Sequence, residues 1–206
     1  MSTEPTEKKP PAKARRPSAR ERICETARDL FYSRGIRGVG VEMIAAEAGT
    51  TKMSLYRNFA SKDELVAECL CRQEQEFWRW WDATVGPFEG QPKRQIELLF
   101  EALEAKVGSE QWSRGCQFSN AAVELPDAEH PARKIILKHH REVRERLRRM
   151  CREMGAREPD ALADGLLLLM RGVYLSCLVF GKNETPQPIS QNVRALLHSE
   201  LGAAPD

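Results

Sequence analysis

The residues that could do chemistry fall into three groups: four histidines, six cysteines, and the donors at the start of a helix that Ser61 opens. His130, His139 and His140 lie on or beside one long charged helical stretch. Catalysis needs a nucleophile, a base and an orienting group that converge. No H-E-x-x-H, G-x-S-x-G or P-loop pattern is present. An enzyme is therefore not expected, and no motif asks for a cofactor or a metal. Cys24, Cys69, Cys71, Cys116, Cys151 and Cys177 form no C-x-x-C pair, which predicts free thiols in a reducing compartment. Cys69 and Cys71 are two apart on one helix and point to different faces, a poor ligand pair. Cys116 lies near a segment end, so a thiol- or metal-responsive sensor is the alternative reading. In the third group, Ser61-Lys62-Asp63-Glu64 reads as a capping box. The helix it opens offers free amides, the positive end of its dipole and Lys62, which together suit a phosphate.

The elements that must position these donors precede Ser61. Val41, Ile44, Ala45 and Ala48 recur at the spacing of one helix face, and so do Lys52, Leu55, Tyr56 and Phe59. Between the two runs, Gly49 sits where the chain must turn, with positive φ. Two short helices joined by a Gly-containing turn make a helix-turn-helix, whose second helix enters a DNA major groove. A bracing helix comes first, from Ser18 or Ala19 to about Arg34, with Gly35 as its stop. Ile23, Ala27, Leu30, Phe31, Ile44, Ala45, Leu55 and Phe59 are the expected core of this three-helix unit.

Composition is that of a soluble globular protein. The chain has 206 residues, 30% of them charged, with 32 basic residues against 30 acidic. Residues 1–64 hold 13 Lys/Arg against 9 Asp/Glu, so the small basic excess is concentrated at the N-terminal end. Residues 1–18 are Pro-rich and basic without periodicity, and read as a disordered tail that could add phosphate contacts. No apolar leader is seen. The longest apolar run, Gly165 to Phe180, carries Arg171 at its middle and reads as too short and too polar for a membrane span. A cytoplasmic protein without a membrane partner is expected.

After Ser61 the chain reads as helices throughout, which with the three of the head makes about nine, with no lasting strand alternation. One helix runs from Ser61 to about Thr84 and ends at Gly86-Pro87. Others span Pro92 to Val107, Cys116 to Glu124, Pro131 to Gly155, Asp160 to Phe180 and Ile189 to Leu201. On the Pro131 helix a charged face carries Arg141, Arg144, Arg148, Arg149 and Arg152 among acids, which reads as solvated with i,i+4 pairs. The 160–180 helix is apolar nearly all round and must be covered on every side. The fold class is all-α: a head at 19–64 and a larger helical part at 65–206.

At this point the sequence resembles the TetR/AcrR-type transcriptional regulators. The resemblance is densest over about residues 20–68, on Gly35, V-E-M-I-A-A-E-A-G and S-L-Y-R-N-F-A-S-K-D-E-L. It implies a DNA-binding head and a larger helical domain that holds an effector pocket. It also implies a homodimer through the last two long helices, about 160–181 and 188–201. By position it implies that Thr51, Lys52, Met53 and Ser54 open the recognition helix toward base edges. Tyr56, Arg57 and Asn58 would meet phosphates or bases, and Lys62 a phosphate. Physical chemistry suits part of this: Lys52 can donate to guanine O6/N7, and the Tyr56 phenol to a phosphate. The sequence departs from the family at Gly40, where a hydroxyl cap is usual, and at Glu42, which a phosphate would repel.

For the effector the expected wall is Trp81, Phe100, Trp112, Phe118, Met170 and Tyr174, an apolar site with few polar groups. Asn120 could add a polar contact, and Arg171 is expected to pair with an acid at the dimer seam, with an anionic ligand as the alternative. The function expected is a repressor that leaves a palindromic double-stranded DNA operator when a small, largely apolar effector binds. Two recognition helices would sit roughly 34–36 Å apart on the DNA.

Overall fold

The computed structural model describes residues 17–201, apart from 108, 110, 111, 113 and 181–187. The expected basic tail, 1–18, thus lies almost wholly outside the described residues. Among these residues the chain forms nine α-helices and one 3-10 turn. They are α1 (Ala19–Arg34), α2 (Val41–Glu47), α3 (Lys52–Asn58), α4 (Lys62–Val85), α5 (Pro92–Val107), α6 (Gln117–Glu124), α7 (Pro131–Glu153), α8 (Pro159–Phe180) and α9 (Ile189–Leu201), with the 3-10 turn at Gly86–Phe88 after α4.

Local chemistry sets the helix ends. Ser18 caps α1 with a complete box: its hydroxyl accepts from the Glu21 amide at 3.2 Å, and the Glu21 carboxylate accepts from the Ser18 amide at 2.6 Å. Gly35 closes α1 at φ 80°, and Gly49 turns the chain between α2 and α3 at φ 61°. At Ser61 the box differs from expectation. The hydroxyl accepts from the Glu64 amide at 3.0 Å, but the Glu64 carboxylate accepts from the Ala60 amide at 2.7 Å, one residue short of the cap.

All eight residues expected in the head core are buried, joined by Cys24, Ile36 and Val39. That core continues into Leu65, Val66 and Cys69 of α4, so the head and the helical body share one helix and one apolar cluster. Cys24 and Cys69 face each other across this junction with sulfurs 3.4 Å apart, both as free thiols. Downstream, α4, α5, α7 and α8 pack as a bundle, with α9 laid on α5 and α8.

Two readings of the body change. The charged face of α7 is not held mainly by its own i,i+4 pairs. Arg144 and Arg148 reach Asp164, Arg152 reaches Asp160, and Arg146 reaches Asp82, so these ions tie α7 to α8 and α4. Arg146–Glu142 is an i,i+4 pair as expected. Second, α8 is 22 residues long, and by length and composition alone it could cross a membrane. Among the described residues it is also not covered on every side. Leu162, Leu166, Met170, Val173 and Cys177 face inward, while Leu168, Leu175, Leu178, Val179 and Phe180 are exposed.

Candidate DNA-reading face and effector cavity

The helix α3 turns two faces in opposite directions. Leu55 is fully buried, as is Phe59 just past its end, because they lock against α1 and α2. Lys52, Met53, Tyr56 and Arg57 stand exposed on the other side. Tyr56 is 43% exposed, which removes it from the core and leaves its phenol outward. Thr51 is the N-cap, and its hydroxyl oxygen accepts from the Ser54 amide at 3.1 Å. Its hydroxyl hydrogen is the part left for an outside acceptor.

Three expected DNA contacts are engaged elsewhere. Lys52 pairs with Glu42 of α2 through a short charged hydrogen bond. This pairing raises the lysine pKa and lowers that of the glutamate. Asn58 turns back on its own helix, with Nδ2 donating to the Ser54 carbonyl at 2.8 Å, while its own carbonyl accepts from Arg20. Lys62 does not project as a phosphate clamp. Its Nζ donates to the Ile36 carbonyl at 2.6 Å, and partial burial lowers its pKa. It fastens the start of α4 to the turn after α1. Arg20, which the sequence did not mark, does comparable work: its guanidinium lies 4.2 Å over the Phe59 ring and pairs with Glu68. Gly40 begins α2 without a side-chain cap, as its residue type requires.

A cavity of about 520 Å³ opens between the head and the body. Of the expected wall, Trp112, Phe118, Met170 and Tyr174 line it. Trp81 and Phe100 do not: both are packed in solid core, at 1% and 0% exposure. Their register on α4 and α5 faces the bundle interior rather than the cavity. The rest of the wall escaped the sequence reading, apart from Arg171, for which an anionic ligand is the alternative. Arg28, Asp29 and Tyr32 come from α1 of the head itself, and His139, Val143 and Arg171 come from α7 and α8.

Aromatic rings shape the cavity. His139 stacks on Phe118 with centroids 3.8 Å apart and meets the edge of Phe77 at 4.7 Å. Trp112 stacks on Tyr174 at 5.6 Å, and Lys106 lies over the Trp80 ring at 3.7 Å and 5.2 Å from Trp112. Burial pushes the Lys106 pKa down to about 8. Burial also drives His139 down to about 3 and His140 to about 4, with Arg171 adding repulsion, so both rings are neutral near pH 7. His139 falls in step with Ile136 and Val143 on α7, so its inward place was readable from spacing.

Arg171 departs from the expected dimer seam and faces the cavity. One of its terminal nitrogens lies 2.5 Å from His140 Nδ1 and the other 3.9 Å from the Cys116 sulfur. A guanidinium only donates, so His140 Nδ1 is the acceptor. Asn120 borders a small adjoining recess, with its Nδ2 donating to the Arg114 carbonyl at 2.8 Å.

Two connections run from this cavity to the head. Tyr32 of α1 donates its hydroxyl to the Gly115 carbonyl at 3.3 Å and accepts from the Arg114 amide at 3.1 Å. The other is α6. Gln117 and Phe118 at its N-terminal end are cavity wall. At its C-terminal end the Glu124 carboxylate accepts from the Arg37 amide, and the Glu124 carbonyl accepts from Arg37 Nε, both at 2.9 Å. A Cβ at Gly35 would come within 3.0 Å of that carboxylate. Among the described residues, no three His, Cys, Asp or Glu side chains gather as a metal site.

Comparison with known proteins accounts for this arrangement. Residues 23–69 match the family described as bacterial regulatory proteins, tetR family, and residues 92–193 match the tetracyclin repressor-like C-terminal domain. A TetR regulator structure from Streptomyces avermitilis is 30% identical, with a TM-score of 0.77, covering 89% of this chain and 98% of that one. One from Streptomyces coelicolor is 27% identical with a TM-score of 0.83, covering 89% and 90%. The chain belongs to the TetR family: it is a DNA-binding transcription regulator and not an enzyme.

Among curated proteins, it is 26% identical to the regulator LmrA of Bacillus subtilis over 178 residues, 82% of this chain and 90% of that protein. It is 45% identical to the repressor KstR2 of Mycobacterium tuberculosis over 95 residues, 42% of this chain and 45% of that protein.

Proposed function

We propose that a homodimer of this chain represses transcription from a palindromic operator and is released by a small effector held in the cavity. The observation that carries this reading is that α1, the bracing helix of the head, is itself cavity wall through Arg28, Asp29 and Tyr32. A ligand that prefers a different setting of Tyr32 or α6 must shift the head, and only such differential affinity can move the equilibrium. In this reading residues 19–64 are the DNA-reading head and the rest is the effector and dimerisation part. Lys52, Met53, Ser54, Tyr56 and Arg57 face DNA, with Thr51 at the helix cap. Lys62 and Asn58 support the head from behind.

Dimerisation through α8 and α9 is supported by the exposed stripe of Leu168, Leu175, Leu178, Val179 and Phe180, which a partner copy would cover. The same cover explains why α8 is apolar enough for a membrane without needing one. A mobility-shift assay with DNA upstream of the gene tests the reading. Sequence-specific, salt-sensitive binding is expected, weakened in Lys52→Ala and in Tyr56→Phe, both with unchanged melting temperature. Equal affinity for operator and scrambled DNA would sink it.

One observation favours the thiol alternative: Cys116 is cavity wall beside Arg171. DNA affinity unchanged by peroxide and diamide would dismiss it.

A further inference from the structure

We infer that the effector of this protein is an organic acid, its carboxylate taken by Arg171 and its apolar body held among Phe118, Trp112 and Tyr174. The inference rests on the reading of the cavity as the effector site and names the chemistry of what enters it.

The charges around the cavity are not alike. Arg28, Asp29 and Glu76 line it together, and Arg28 lies 3.2 Å from each of the two carboxylates. Those three leave one net negative charge, and all are substantially solvent-exposed, so that charge is screened by water. Arg171 has no carboxylate within 4.0 Å among the described residues. Its neighbours are an imidazole and a thiol, both poor substitutes for a counter-charge. A guanidinium carries five donors in a planar fork suited to a carboxylate, and most of these donors have no partner here.

The neighbourhood supports the same ligand class. His139 is 2% exposed, lines the cavity, and its Nδ1 has no hydrogen-bond partner. Buried polar atoms of this kind ordinarily have a partner. Both histidines are neutral near pH 7, so Arg171 is the charged member of its trio with His139 and His140. Around these polar atoms the wall is aromatic and aliphatic: Phe77, Trp112, Phe118, Val143, Met170 and Tyr174. A bare inorganic anion would leave that surface unused, and a neutral hydrocarbon would leave the Arg171 donors unmatched.

Matched pairs of acid and primary amide on one skeleton test the inference. Benzoate, 2-naphthoate and decanoate, each beside its amide, are titrated against the full chain by tryptophan fluorescence. At least one acid should bind the wild type about tenfold or more tighter than its amide, as a charge-assisted hydrogen-bonded pair implies. Arg171→Gln should erase that preference while leaving the amide affinity unchanged, and Arg171→Lys should restore part of it. A thermal melt of each variant separates loss of binding from loss of fold. Equal binding of acid and amide, a preference that survives Arg171→Gln, or no binding by any acid at millimolar concentration overturns the inference. If an acid binds through Arg171 but operator affinity does not change, the anion site stands and the release mechanism fails.

Discussion

In the head, Ile23, Ala27, Val39, Ile44 and Leu55 close on one another with no accessible surface left. In the body, side chains just as apolar stand apart around about 520 Å³. The two regions share α1 and α4, so composition does not separate them. What separates them is the kind of residue that meets at the centre. The head brings together aliphatic side chains from α1 and from two helices about two turns long, and these interlock at the density of a protein interior. The cavity brings together flat rings stacked in pairs, with Arg171, His139 and Tyr32 among them. Polar groups resist being sealed in without partners, and paired rings hold the walls apart. A closed core fixes the shape of the reading face, and an open one leaves a place where chemistry can alter it.

The largest expected break in this comparison is Leu55→Ala. It removes a fully buried side chain from the closed core and should cost about 2–5 kcal/mol in urea unfolding. A smaller loss than from any single change in the cavity wall would refute the contrast.

Acid is the next strongest lever, and it acts on the body. His139 and His140 take protons near pH 6.5 in the unfolded chain but only near pH 3 and 4 when folded. Above pH 6.5 both states hold neutral rings and this stability is fully present. As pH falls toward 4 the unfolded state binds protons that the folded state refuses, and each ring then costs about 1.4 kcal/mol per pH unit. Unfolding free energies between pH 6 and 4 should fall less steeply in His139→Phe than in the wild type, and parallel curves would contradict this.

Smaller still is a paired enlargement. Ile44→Phe overfills the head and should cost about 1–3 kcal/mol, whereas Gln117→Phe, at a half-buried place on the cavity wall, should cost under about 1 kcal/mol. Gln117→Phe should nevertheless weaken effector binding, measured by the same fluorescence titration. The mildest change is Ser18→Ala, which removes the α1 cap for about 1 kcal/mol by thermal melting and leaves the cavity untouched.

Legibility follows the same division. Gly35, Gly49, Ser61 and Gly155 could be placed from the sequence because caps and turns depend on a few neighbouring residues. The buried face of α3 was readable because Leu55 and Phe59 recur at helical spacing. Lys62 was not: its inward turn to the Ile36 carbonyl depends on how the turn after α1 lies against α4. Trp81 and Phe100 look like pocket aromatics in a linear chain, and the crossing of α4 with α5 and α7 decides that they are core. Arg171 stood out as the one charge in its apolar run, but its side of α8 could not be assigned from that run alone.

On the proposed reading, coupling through α6, with Phe118 in the cavity wall and Glu124 on Arg37, must run in both directions. If an effector lowers operator affinity by some factor, the operator must lower effector affinity by that same factor. A dimer seated on its operator is then a poorer receptor than one free in solution. Titrating operator DNA into an effector-saturated sample would drive ligand out, so each copy of the operator acts as a competitor for a site it never touches.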